Sequence, residues 1–267
     1  PSCGHQADIF GHGGAREEAK KLGCDFLGEV PLHMDIRTNS SNNTVYADAD
    51  GNIAYFHGNF IPKRDTIFDF TKPVDGSNPK TDWQGLHTVD ENILVLNPEN
   101  GWIQNCNSTP YTAALENSPQ RGDYPKYMSR DQENFRGVHA IDLLTDRSGF
   151  TMDNLIELAH DSYLPAFEAL IPGLIKAYDA NPNPVLKEPI EVLRQWDFRT
   201  SETSVGMTLS HYYGTLCYQR AERPKGLYAM QLVQYWGSES PAEEKLKLFQ
   251  KTMERLSNDF GTWNTPW

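Results

Sequence analysis

The arrangement of apolar and polar positions divides the chain into a short hairpin, a long loop-rich segment and a helical part. Residues 44–47 and 53–57 are rich in β-branched and aromatic side chains and flank the turn residues 48–51, which predicts a β-hairpin. Residues 59–135 contain few long apolar periods and many Pro, Asp, Asn and Gly. We expect short strands and ordered loops there, wrapping a site, because a structureless run of that length is unusual in a compact domain. From Arg136 onward the pattern is helical.

Three helices in this last part are predicted from their apolar stripes and end signals. Thr151 is placed to cap a helix that runs through about His160, with a hydrophobic staple at its start. A second stripe, which Pro172 should kink, consists of Leu164, Phe167, Leu170, Ile171, Leu174, Ile175 and Tyr178. A last helix is predicted with Ser240 as its N-cap, Pro241 as its first residue and Gly261 past its end. Such stripes indicate core rather than a ligand site, and the elements together predict an α+β fold.

Two asparagines stand out as candidate chemistry. Asn105 and Asn107 follow an Asn-Gly turn at alternate positions of a segment expected to be extended, so that both side chains would point to one face. An amide N–H held still in a dry cleft suits the oxygen that becomes negative when an amide bond is attacked. The alternative is that these asparagines, flanked by Gly, Ser, Thr and Pro, are turn formers.

Four blocks of the sequence carry a family resemblance: 43–58 (NTVYADADGNIAYFHG), 82–86 (DWQGL), 97–107 (NPENGWIQNCN) and 259–267 (DFGTWNTPW). They resemble consecutive blocks of the penicillin acylase family, which are amide hydrolases of the N-terminal nucleophile superfamily. The blocks occur in family order and cover roughly residues 38–267.

The resemblance implies an αββα sandwich, present here in part, and roles for two residues. Asn107 falls on the second asparagine of an Asn-X-Asn element that helps to form the oxyanion hole, and we expect Asn105 to tie the loop to neighbouring backbone. Arg136 falls on an arginine near the active site, where it would orient polar substrate or the Asn107 loop; the alternative is a structural salt bridge. The resemblance implies no cofactor for the chemistry, although calcium is possible.

The nucleophile is expected to be absent from these 267 residues. In the family it is the first serine of a second chain, and it should lie well upstream of Asn43, where only 42 residues stand in this sequence. Ser2 would become N-terminal if Pro1 were trimmed, but its surroundings fit a different family. We therefore expect an incomplete second chain that is inactive by itself and needs the missing upstream segment as its partner.

A second resemblance rests on Cys3-Gly4 and on residues 8–15 (DIFGHGGA) and 23–37 (GCDFLGEVPLHMDIR). With these stretches, residues 1–37 resemble the C-terminal part of Mrp-type P-loop ATPases that carry iron–sulfur clusters. That family uses a Cys-X-X-Cys pair, of which Cys3 would be the second member, and no Gly-X-X-X-X-Gly-Lys-Ser/Thr occurs in this sequence. A join near residues 37–39 separates the two predicted domains, 1–37 and 38–267, and is explained by a splice of two truncated reading frames or by a natural fusion.

The composition of the sequence argues against some classes of binding partner. The formal net charge of −12 argues against nucleic acid or an anionic membrane. There is no 18-residue apolar run and no signal peptide at the start of the sequence, although the family resemblance suggests a periplasmic or secreted protein. The four cysteines are scattered, which is more typical of reduced thiols than of a disulfide framework, and the histidines show no zinc-binding spacing.

Taken together, these patterns predict a hydrolase that acts on carbon–nitrogen bonds of linear amides by removing an acyl group. Two alternatives remain open. The first is an iron–sulfur carrier ATPase, supported by the first 37 residues alone. The second is an inert chimeric fragment, supported by the absent nucleophile.

Overall fold

A three-stranded antiparallel sheet and seven α-helices make up the part of the protein that this computed structural model describes, residues 43–58, 61–219, 224–227 and 229–267. The sheet has the order β1-β2-β3, with β1 Thr44–Ala47, β2 Ile53–Phe56 and β3 Leu94–Leu96. The predicted hairpin is confirmed, with Thr44 paired to Phe56 and Ala47 to Ile53. Strand β2 pairs on its other side with β3, so that Tyr55 lies opposite Val95.

The segment between β2 and the first helix is ordered loop, as expected. Within its described part, 61–135, it contains strand β3 and short 3-10 turns. Tyr55, Val95, Ala113 and Ala114 form a small buried cluster that fixes this segment against the sheet. The loops that follow β3 are therefore anchored close to the end of β2.

Helices fill most of the chain from Phe135 onward, in agreement with the helical pattern predicted from Arg136, and the α+β fold is confirmed. Their bounds are α1 Phe135–Leu144, α2 Met152–Ala159, α3 Pro165–Ala180, α4 Lys187–Gln195, α5 Val205–Gln219, α6 Ala229–Gln234 and α7 Ala242–Phe260. Thr151 caps α2 through a hydrogen bond from the backbone N–H of Asn154. Gly261 ends α7 in the left-handed conformation, with φ of 80°.

One predicted helix start is wrong by one position. Helix α7 begins at Ala242 with Pro241, rather than Ser240, at the cap. The Ser240 hydroxyl donates to the carbonyl of Trp236, so it is engaged with the preceding π-helix, Tyr235–Glu239, and does not cap α7. The stripe on α3 is confirmed as core, since Leu170, Ile171 and Leu174 are buried, and α3 continues through Pro172 without a break.

Glycines allow α3 and the π-helix to cross closely. A methyl group on Gly173 would overlap the carbonyl oxygen of Gly237, and one on Gly237 would overlap the carbonyl oxygen of Ala169. Only glycine lets two backbones approach in this way without displacement. The helical core that surrounds this crossing includes the fully buried residues Ile171, Leu174, Leu209, Tyr213, Leu232, Trp236, Phe249 and Leu256.

Candidate functional site

Residues 105–108, the 105–108 turn, form a tight bend rather than the extended segment expected from the sequence. Asn107 has φ of 54°, in the left-handed region that asparagine enters more readily than most residues. Asn105 is partly buried, whereas Asn107 is exposed. The prediction that Asn105 and Asn107 lie on one face of an extended segment is therefore wrong, because side-chain hydrogen bonds close the segment into a turn.

The side chain of Asn105 holds the turn from inside. Its Oδ1 accepts from Asn43 Nδ2 at 2.9 Å and from the backbone N–H of Asn107 at 3.3 Å. Its Nδ2 donates to the carbonyl of Ser108 at 3.3 Å and to the Tyr55 hydroxyl at 3.4 Å. Because both its oxygen and its nitrogen already make hydrogen bonds within the protein, the Asn105 amide stabilises the loop and leaves no N–H to bind a substrate.

Asn134 holds the turn from outside, a contact that sequence reasoning missed. Its Nδ2 donates to the carbonyls of Cys106 and Asn107, at 3.1 and 3.2 Å. Its Oδ1 caps α1 by accepting from the backbone N–H of Gly137 at 3.0 Å. One side chain thus fastens the 105–108 turn to the first turn of α1. The sequence feature that could have identified this contact is an asparagine immediately before a helical pattern.

Arg136 and Asn107 meet at this junction. The Arg136 guanidinium donates to Asn107 Oδ1 at 3.4 Å, a long hydrogen bond between two exposed side chains. Within the described part of the chain, no group accepts a hydrogen bond from Asn107 Nδ2. The amide is consequently oriented through its oxygen while its two N–H donors remain available.

Close packing of α1 against the turn depends on Gly137. This residue is buried, and a methyl group in its place would crowd the Ser108 side chain and the Glu133 carboxylate. The Ser108 side chain is itself fully buried. The glycine therefore sets how closely the helix that carries Arg136 can approach Asn107.

Cys106 lies between the two asparagines but is not activated as a nucleophile. Burial raises the pKa of its thiol and the nearby Glu133 adds to this, while Arg136 acts in the opposite direction. A thiol whose pKa is raised carries little thiolate at neutral pH, and the thiolate is the reactive form. Neither Cys106 nor Cys217 forms a disulfide bond.

A cavity of about 620 Å³ opens beside Arg136 and Cys106. Apolar side chains, among them Phe135, Leu143 and Phe167, make up most of its wall. Such a lining suits a hydrocarbon group better than a charged one.

Two histidines near the site make hydrogen bonds within the protein. His57 lies 3.0 Å from the Tyr55 hydroxyl. The Nε2 atom of His139 lies 3.0 Å from Asp161, whose other carboxylate oxygen lies 2.9 Å from Arg199. His139 therefore ties α1 to the segment after α2.

Nowhere among the described residues do three or more His, Cys, Asp or Glu side chains come together to hold a metal ion. Ser2, Cys3 and the join near residues 37–39 lie outside the described residues. No helix in the described ranges is long and apolar enough to cross a membrane.

Comparison with known proteins identifies the family and the fold. Residues 32–266 match the family model for penicillin amidase. Penicillin G acylase of Escherichia coli is 32% identical over 172 residues, which are 58% of this chain and 18% of that protein. Thermostable penicillin G acylase from Alcaligenes faecalis superimposes with a TM-score of 0.53 at 17% identity, over 82% of this chain and 47% of that one. The fold is thus that of the penicillin acylases, and the chain spans less than half the length of either protein.

The N-terminal residues match a different group of proteins. Residues 1–58 fit the family model for NUBPL iron-transfer P-loop NTPases. The iron–sulfur cluster transfer protein NUBPL of Dictyostelium discoideum is 48% identical over 42 residues, which are 16% of this chain and 13% of that protein. This second similarity is confined to a short segment, whereas the first extends over most of the sequence and includes Asn107 and Arg136. The chain therefore belongs to the penicillin amidase family.

Proposed function

We propose that residues 43–267 supply the oxyanion-stabilising part of the active site of an amidohydrolase that deacylates linear amides. One observation carries the proposal: Arg136 holds the oxygen of the Asn107 amide, and the Asn107 N–H donors have no acceptor among the described residues. A positioned, uncharged donor of this kind is what an acyl-transfer transition state requires. Family membership supports the reaction class.

In the mechanism that the family implies, an N-terminal serine attacks the amide carbonyl and its own α-amine takes the hydroxyl proton. The carbonyl oxygen becomes negative, and an N–H of Asn107 donates to it. The α-amine then passes the proton to the leaving nitrogen, and water hydrolyses the acyl-serine ester. Asn105 and Asn134 contribute indirectly, because they hold the turn in the conformation that presents Asn107.

Arg136 contributes by orientation and by charge. Its hydrogen bond to Asn107 Oδ1 selects the amide rotamer in which nitrogen faces outward, and its positive charge favours a developing oxyanion nearby. The apolar cavity beside it would receive a hydrocarbon group of a small amide substrate. Family membership supports a periplasmic or extracellular location for such an enzyme.

The experiment compares two proteins. The first is the 267-residue polypeptide alone. The second, the completed enzyme, is Escherichia coli penicillin G acylase in which residues 43–267 of this chain replace the corresponding residues. With chromogenic phenylacetyl and long-chain acyl amides, we expect turnover from the completed enzyme and none above a buffer blank from the polypeptide alone.

Two outcomes would contradict the proposal. A correctly folded and processed completed enzyme without turnover would show that these residues do not supply a working oxyanion site. Turnover by the polypeptide alone that disappears in a Ser2→Ala variant would show that the nucleophile lies within this sequence.

A further inference from the structure

A chain of hydrogen bonds runs from the 105–108 turn into the protein interior. Asn105 Nδ2 lies 3.4 Å from the Tyr55 hydroxyl, which lies 3.0 Å from Nδ1 of His57. Tyr55 is fully buried and His57 is 6% exposed. A polar group this deeply buried destabilises the fold unless it has a hydrogen-bond partner. This series of hydrogen bonds therefore favours one arrangement of the three side chains.

The contacts favour one direction of donation along this series of hydrogen bonds. An amide nitrogen only donates, so the Tyr55 oxygen accepts from Asn105. The buried Tyr55 hydroxyl then has an acceptor for its own proton in His57 Nδ1 when the ring proton of neutral His57 lies on Nε2, which is 3.8 Å from the Asp131 carboxylate. Burial lowers the pKa of His57, although Asp131 and the backbone of Met128 oppose this, and the neutral ring is favoured.

The side-chain oxygen of Asn105 connects these hydrogen bonds to Asn107. With its nitrogen turned toward Tyr55, the Asn105 side chain places Oδ1 toward the backbone N–H of Asn107. A flip of the amide would set its N–H₂ against that N–H and against Asn43 Nδ2, and would leave the Tyr55 oxygen without this donor. Tyr55 therefore acts together with Asn43 and the Ser108 carbonyl to hold the orientation of the Asn105 amide, and with it the Asn107 backbone.

We propose that Tyr55 and His57 are positioning residues for the oxyanion site, which act on Asn107 through Asn105. His57 accepts the Tyr55 proton, Tyr55 accepts from Asn105, and Asn105 fixes the left-handed turn at Asn107. This rests on the proposed function of Asn107. It extends the site to residues about 50 positions earlier in the sequence, which touch no substrate themselves.

The first test uses NMR on the full 267-residue chain and does not depend on activity. Tyr55→Phe, which deletes only the hydroxyl, should shift the side-chain amide resonances of Asn105 and the backbone N–H of Asn107. Tyr46→Phe, on the neighbouring strand with its hydroxyl on Asp48, is the matched control and should shift neither. The ¹⁵N spectrum of His57 should show a proton on Nε2. Unchanged Asn105 and Asn107 resonances in Tyr55→Phe, or a proton on Nδ1, would overturn the proposal.

The second test measures kcat and KM in the completed enzyme. Tyr55→Phe should lower kcat about tenfold with KM within about twofold, and in an Asn105→Ala background it should lower kcat no further, because it acts through Asn105. His57→Asn, which retains an acceptor for Tyr55, should keep more of kcat than His57→Leu. If Tyr55→Phe does not fold, the comparison of kcat between His57→Asn and His57→Leu tests the proposal.

The two proposals fail in different ways. Equal kcat losses from Tyr55→Phe with and without Asn105, or equal effects of the two His57 variants, would overturn the positioning role. A normal kcat in Asn107→Ala would instead overturn the proposed function, whatever the Tyr55 variants show.

Discussion

Arg136 donates a hydrogen bond to the side-chain oxygen of Asn107 across 29 positions of sequence. This contact joins the start of α1 to the 105–108 turn, and Asn134 reinforces the same junction by bonding the carbonyls of Cys106 and Asn107. The orientation of the candidate oxyanion donor is thus set by the first turn of α1 and by the cap residue before it.

Removal of the Arg136 side chain should reduce turnover without unfolding the protein. In the completed enzyme, Arg136→Ala should lower kcat about tenfold, which corresponds to about 1.4 kcal/mol, because the Asn107 amide loses the contact that orients it. Arg147→Ala, another exposed arginine, is the control and should leave kcat unchanged. Equal kcat values for the two variants would show that the Arg136 contact has no catalytic consequence.

A methyl group on Gly137 should separate α1 from the turn. Gly137→Ala crowds the Ser108 side chain and the Glu133 carboxylate, and overpacking of this kind costs about 1–3 kcal/mol of unfolding free energy. We expect Tm, measured by circular dichroism, to fall by several degrees. Gly122→Ala, where no atom lies near the added methyl group, is the matched control. If both variants melt at the wild-type temperature, α1 does not pack against Ser108 as described.

The N-terminal segment should bind neither a stable iron–sulfur cluster nor ATP when the 267-residue polypeptide is produced. It contains Cys3 without a second cysteine at the Cys-X-X-Cys spacing, and the sequence has no phosphate-binding loop. Anaerobic reconstitution followed by visible absorbance checks the cluster, and equilibrium dialysis checks ATP. A cluster band that is lost in Cys3→Ser would contradict this prediction.

The fold could be predicted from the sequence where local patterns determine it. The hairpin followed from β-branched and aromatic residues around a turn, and the helix ends at Thr151 and Gly261 followed from capping preferences. The start of α7 was predicted one residue early, because the Ser240 hydroxyl has an alternative partner in the Trp236 carbonyl. Local sequence cannot rank two such partners, since both lie within reach of the same side chain.

The site was predicted in part. Asn107 and Arg136 were identified by family resemblance, and the structure brings them together; their catalytic roles stay a prediction. The conformation of the turn could not be predicted, because Asn105 and Asn134 impose it through contacts that span up to 62 positions of sequence. Tyr55 and His57, two positions apart at the end of a strand, could have been recognised as sharing a face, but their connection to Asn105 depends on tertiary structure.

Asn105 and Asn107 differ in a way that allows the central claim to be tested directly. Asn105 has all its hydrogen-bonding groups engaged within the protein, whereas the N–H donors of Asn107 have no acceptor in the described ranges. The same substitution at the two positions should therefore have different effects.

The deciding measurement is the steady-state kinetics of Asn107→Ala and Asn105→Ala in the completed enzyme, with folding of each variant checked by its Tm. Asn107→Ala should lower kcat by about two orders of magnitude or more with KM within a few-fold, because the oxyanion contact strengthens mainly in the transition state. Asn105→Ala should lose less in kcat and more in Tm. If Asn105→Ala instead shows the larger loss in kcat while both variants are folded, Asn107 is not the oxyanion donor.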